Sequence, residues 1–133
     1  MIVRPSPKFK VTTVVRSLLL ANEDIVNIVA DRIFPIAAPK DTDGTFIIYQ
    51  RDAYSVPITK MGAQLDGCDV YVDVISGDYD ESQELAEKIY LTLFGNHTVD
   101  DKEITITLKD STEDCDISET GRKYIQVLLF NIN

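Results

Sequence analysis

A chain of 133 residues with 44% hydrophobic and 26% charged side chains has the composition of one globular domain, which excludes a disordered or membrane-embedded polypeptide. Its formal charge of −9 argues against a nucleic-acid binder, because such binding depends on Lys and Arg displacing counterions from phosphates. No tight nucleic-acid partner is expected.

Arg4, Lys8, Lys10 and Arg16 all precede the first acidic residue, Glu23, so a basic leader stands on an acidic body. Residues 1–9 read as a flexible arm: Pro5 and Pro7 favour a frayed end, and the charge would suit an acidic neighbour. A helix is predicted from Lys10 to Ala21, with Val11, Val14, Val15, Leu18 and Leu19 on one stripe. The apolar run there is broken by Arg16 and too short to span a bilayer, so a cytoplasmic protein with no membrane partner is expected. Asp24 reads as the cap of a shorter helix carrying Ile25, Ile28 and Val29 and ending near Arg32. Phe34-Pro35 then forces an extended path.

Ala37–Gly44 is a predicted loop whose Asp41-Thr42-Asp43-Gly44 opens like a calcium loop but lacks the later ligands, leaving a plain turn. Phe46–Arg51, apolar on both faces, suits an interior strand. The connection Asp52–Asp66 is longer than a compact domain needs and is not polar. Tyr54, Val56 and Ile58 alternate with Ser55, Pro57 and Thr59, and Met61 and Leu65 follow. The stretch reads as an extended loop or hairpin arm that lays its apolar side on another surface or back on its own sheet.

Cys68–Ile75 alternates strictly, with Cys68, Val70, Val72 and Val74 on a core face and Asp69, Tyr71 and Asp73 on a face that meets water or a partner. After Ser76-Gly77-Asp78, Asp80 with Gln83 reads as a capping box for a helix built on Leu85, Ala86, Ile89 and Leu93, stopped by Gly95-Asn96. A strand follows at Ile104, Ile106 and Leu108, through either a parallel crossover or an antiparallel return. Asp110–Gly121, with Glu113, Asp114, Asp116 and Glu119, reads as a solvated acidic turn. Lys123–Ile132 closes the chain as a buried strand. The class is α+β: a mixed, mainly antiparallel sheet of about four to six strands with two to three helices packed on one face.

Cys68 and Cys115 stand far apart with a single histidine, His97, so no zinc site follows and free thiols are expected. There is no GxGxxG, P-loop, HExxH or GxSxG. Neither a catalytic residue, a metal nor a cofactor is predicted.

The order of Ala30-Asp31-Arg32-Ile33-Phe34-Pro35, Phe46–Arg51, Val70-Tyr71-Val72-Asp73-Val74, Tyr79–Leu93 and Glu119-Thr120-Gly121-Arg122-Lys123-Tyr124 resembles the tail-completion family of long-tailed bacteriophages and prophages. Thr45 stands where that family often has a proline. The resemblance runs from about Val11 to Ile132 and implies a structural protein without an active site. Such a protein would cap or complete the tail tube as a hexameric ring at the head-to-tail joint, assembling in the bacterial cytoplasm and residing in the virion tail. Its implied partners are further copies of itself, the tail tube protein and the head-to-tail connector, with a monomer in solution until the tube end templates the ring. Joined to the residue reading, this puts self-association on Tyr54, Val56, Ile58, Met61 and Leu65, with Asp69, Tyr71 and Asp73 receiving Arg4, Lys8 and Lys10 of a neighbour. Two alternatives remain at this level: another phage connector of the head-closure or neck type, and a small metal-binding enzyme using Asp73, Asp78 and Asp80.

Overall fold

A computed structural model describes residues 7–55, 67–118 and 121–133. Its centre is β3 (Gly67–Ser76), where alternation sorts the side chains as predicted: Cys68, Val70, Val72 and Val74 are buried on one face, while Asp69, Tyr71, Asp73 and Ile75 are half-buried on the other. Around it the chain runs α1 (Val11–Leu20), α2 (Glu23–Val29), β1 (Ile33–Pro35), β2 (Phe46–Ser55), β3, α3 (Tyr79–Leu93), β4 (Gly95–Val99), β5 (Lys102–Ser118) and β6 (Gly121–Ile132). The six strands form one sheet in the order β1-β2-β3-β6-β5-β4. Only β1–β2 is parallel, and every other pair is antiparallel. The class is α+β, as the sequence indicated.

The helices cover one face. Val11, Val15 and Leu19 of α1, Ile25 and Val29 of α2, and Leu85, Ala86, Ile89 and Leu93 of α3 close over Ile47, Val70, Val72, Val74, Leu128 and Phe130 to form the core. The N-termini of α2 and α3, unlike that of α1, are capped by side-chain oxygens, at positions other than those predicted. Asn22, not Asp24, caps α2 by accepting from the Ile25 N–H. Asp78, not Asp80, caps α3, accepting from the N–H groups of Asp80 and Glu81, so the acidic third helical residue is Glu81 rather than Gln83. The Glu81 Oε1 also accepts from the hydroxyls of Thr45 and Ser76, tying the ends of β2, β3 and α3 together.

Three other expectations change. Gly95 has φ of 115°, but it leads straight into β4 rather than into a loop. β4 turns back through Asp100 and Asp101, both at positive φ, and pairs with β5. The link through α3 therefore carries the chain to the far edge of the sheet, not into a parallel neighbour of β3. The acidic stretch Asp110–Ser118 is no turn: it is the second half of β5, paired with β6 from Asp110↔Leu129 to Ser118↔Gly121. Since β3 stops at Ser76, opposite Tyr124, the last rungs of the β5–β6 ladder, from Asp116↔Lys123 to Ser118↔Gly121, extend beyond it.

Candidate functional site

The helix-free face of the sheet is a surface that no described helix or strand covers. Cross-strand register places Phe34 beside Ile48, Ile48 beside Asp73 and Asp73 beside Val127; Phe46, Ile75 and Ile125 form the next row, and Gln50, Tyr71 and Leu129 the row below. Most of these residues are apolar and half-buried, and no described helix packs on them. The rings of Phe34 and Phe46 stand 6.3 Å apart, extending the patch to the edge of the sheet. At one end it opens into a cleft of about 590 Å³ lined by Pro39, Asp43, Phe46, Ile75, Lys123 and Ile125 among others.

Asp73 sits in the middle of this apolar patch. Its Oδ1 is buried without a hydrogen-bond partner. Removal from water disfavours the charged form, and the carboxyl is pushed up to about 6 by that burial alone. Asp69, on the same face four residues earlier, has the opposite environment. Its Oδ2 accepts from Lys109 Nζ at 2.7 Å and its Oδ1 from Asn131 Nδ2 at 2.9 Å. Burial pushes Asp69 up as well, but the two bonds and the ammonium charge outweigh it, and the net direction is down.

The face was expected to be polar and acidic, ready for basic groups of a neighbour. Tyr71 and Asp73 lie on it as predicted, but the surface is mainly apolar, because β2 and β6 contribute Ile48, Ile125, Val127 and Leu129. Asp69 is already neutralised within its own chain.

The remaining predicted positions separate. Tyr54 belongs to β2, not to a loop, and faces the helix side. There its ring meets Phe9 edge-on at 5.2 Å, and its hydroxyl accepts from the Lys8 N–H. Arg51 stacks on Phe9 from the other side, its guanidinium 5.1 Å from the ring centre. Lys8 and Lys10 thus start near the helix layer, lining a hollow with Val14 and Ile104. Arg4, Val56, Ile58, Met61 and Leu65 lie outside the described residues.

Sequence reasoning passed over the β5–β6 hairpin. On its helix-side face Tyr79 donates to Glu113 and Gln126 Nε2 donates to Glu113 Oε2 at 2.9 Å, while the Tyr79 and Tyr124 rings lie 5.3 Å apart. These contacts moor the hairpin to the start of α3. Beyond them Ile117 is 73% exposed and faces Arg122 across the ladder. The alternation of Thr112, Asp114 and Asp116 against Glu113, Cys115 and Ile117 carried a strand period, with one face polar and the other mixed.

Cys68 is buried and Cys115 exposed, and no disulfide joins them. Among the described residues no group of acidic, His or Cys side chains is placed to hold a metal, and Asp73 lies on a different face from the α3 cap at Asp78. No described helix is long and apolar enough to cross a membrane.

No protein-family model matches the chain, and no curated protein does. Among solved structures, a chain from the virion of a native gene transfer agent (GTA) particle is similar in fold, with a TM-score of 0.63 over 89% of this chain and 90% of that one. At 12% identity the two share an architecture.

Proposed function

We propose that the chain is a structural component of a phage-type virion that completes or caps the tail tube, acting as a homo-oligomeric ring at the head-to-tail joint. The observation that carries this reading is the unfinished apolar face around Asp73. Fully burying one side chain of the Ile, Leu or Phe kind is favourable by roughly 1.5 to 3 kcal/mol, and a row of them left half-covered is the signature of a surface awaiting another protein. The fold similarity to a chain of a GTA virion supports placing that other protein in a virion. The face is too apolar to line a water-filled channel, which favours a role between subunits. Its partners on this reading are further copies, the tail tube protein and the connector, with assembly in the bacterial cytoplasm. The role is structural, with no reaction assigned.

The test is electron microscopy of particles from a producer strain lacking the gene. Overlong tails, or tails without heads, are the expected result. Normal virions would refute the reading, and normal-length tails beside unjoined heads would make the chain a neck component instead.

A further inference from the structure

The ring reading leaves open which surfaces of two copies meet. We propose that the apolar face and its cleft receive the β5–β6 hairpin tip of a second copy, with Ile117 of that copy seated against Phe46, Ile75 and Ile125 and its Arg122 reaching Asp73. This rests on the virion reading above and specifies its subunit contact.

Two complementary features point to it. The face contains a carboxylate oxygen that is buried and has no hydrogen-bond partner, a costly arrangement unless a donor arrives from outside. The tip supplies one: Arg122 is exposed, hydrogen-bonded through its side chain to Tyr124 of its own strand, and without a carboxylate partner among the described residues. Arg suits the task, since its guanidinium is weakly hydrated and forks onto a carboxylate. Beside it, Ile117 is the most exposed large apolar side chain described. One apolar and one cationic group directly opposite each other on the tip thus match an apolar wall with one lone carboxylate. The cleft gives the tip room, and Asp41, Asp43 and Asp116 on its lining outnumber Lys123, which stands opposite Asp116, so that a net negative charge remains to receive Arg122.

Orientation supplies a further argument. Ile117 and Arg122 lie on the helix side of the sheet, by alternation from Gln126 and Tyr124, whereas Asp73 lies on the opposite side. A contact between surfaces that face opposite ways joins two different patches and disfavours a two-fold arrangement. It relates copies head to tail, the kind of contact that closes into a ring when the rotation allows. A two-fold stack of two bare faces would instead set Asp73 against Asp73, two carboxylates without a donor between them.

Paired cysteines test the contact. Asp73→Cys and Arg122→Cys are combined in a Cys115→Ser background, and particles assembled with this chain are oxidised and run without reductant. Within one chain the two positions cannot bridge: Arg122 is five residues along β6 from Val127, the partner of Asp73, roughly 16 Å away and on the other face. The expected result is a ladder of covalent multimers from the double variant and monomers from each single variant. Dimers from Asp73→Cys alone would show a two-fold stack and overturn the proposal. Variant present in particles but monomeric after oxidation would also overturn it while leaving the virion role standing. Absence of the unmutated chain from purified particles would refute the virion role and, with it, this contact. A separate check is charge exchange: Arg122→Asp should lower incorporation about tenfold, and adding Asp73→Arg should restore it.

Discussion

Val72 and Asp73 are consecutive residues of β3 with opposite surroundings. Val72 lies under the helices with no exposed surface, in a face that is apolar around it and covered by α1, α2 and α3. Asp73 lies in a face nearly as apolar that nothing described covers, with a carboxylate at its centre. The first face has been optimised for holding one chain together. The second bears a group that lowers the stability of the single chain, and selection retains such groups where they recognise something else.

The sharpest way to break this contrast is to cut side chains from both faces of β6. Phe130 is 1% exposed among the core residues, and Phe130→Ala should cost about 3 to 5 kcal/mol, enough to threaten folding of a domain this size. Val127→Ala, on the bare face, should cost about 1 kcal/mol, because little of the side chain's surroundings closes over it. Urea denaturation gives both numbers. Equal losses would mean that the bare face is already closed within one chain, and the case for an intersubunit surface would fall.

Asp73 itself gives the next largest effect, and its sign is fixed by the direction of its shift. The carboxyl is raised to about 6 in the folded chain, so the neutral form fits the site and the charged form does not. Wild-type stability should therefore fall as pH rises from the ordinary carboxylate range through about 6, and it should recover on acidification. A shift of about two units corresponds to roughly 2.7 kcal/mol at most, and partial access of water reduces this to about 1 to 2 kcal/mol. No titratable side chain of β2 or β6 stands directly beside Asp73, where Ile48 and Val127 flank it. Asp73→Asn should thus be more stable than wild type at about pH 7 and no different at about pH 4. A variant less stable than wild type at neutral pH would show that Asp73 has a stabilising partner in the monomer.

The strand period of β3, the helical stripes and the apolar closing strand were legible because burial repeats every two residues on a strand and at helical spacing on a helix, and both repeats survive in the bare sequence. The interior position of β2 between β1 and β3 could be read from its two apolar faces. The caps were displaced because Asn22, Asp24, Asp78 and Asp80 are all competent oxygens, and only the backbone geometry selects among them. β4 was missed for lack of apolar alternation in Gly95–Val99, although Asp100-Asp101 ahead of Lys102 is the sort of pair that tolerates the positive φ of a tight hairpin. The outer half of β5 carries Glu113 on one face and Asp114 and Asp116 on the other, and it reads in sequence as a solvated turn. It is held by its ladder to β6 and by Glu113, contacts made far from it in sequence. The character of the bare face was misjudged for a related reason: on β3 alone it reads as Asp, Tyr, Asp, and the apolar majority comes from the neighbouring strands.

Within the bare face, Asp69 and Asp73 make the finest comparison, and Lys109 is the residue that separates them. A register shift between Leu108 and Asp110 makes Lys109 the extra residue of β5, and its ammonium reaches across the sheet face to Asp69. Burial alone would push both carboxyls up, yet Asp69 goes down because Asn131 and Lys109 bond its two oxygens. Lys109→Met removes one bond and the charge while leaving the Asn131 amide in place. The Asp69 titration midpoint, followed by carboxyl-carbon NMR, should therefore rise but stay below that of Asp73. Since the lowered carboxyl contributes stability above the ordinary carboxylate range and loses it as pH falls, any loss in the variant should appear at neutral pH and vanish in acid. It should also be the smallest of the three effects, because Lys109 is 55% exposed and water already screens its charge. An unmoved Asp69 midpoint would mean that the Asn131 amide alone holds the carboxylate. The difference between the two aspartates would then lie in hydrogen bonding rather than charge, and a neutral amide donor from a second copy would serve Asp73 as well as Arg122.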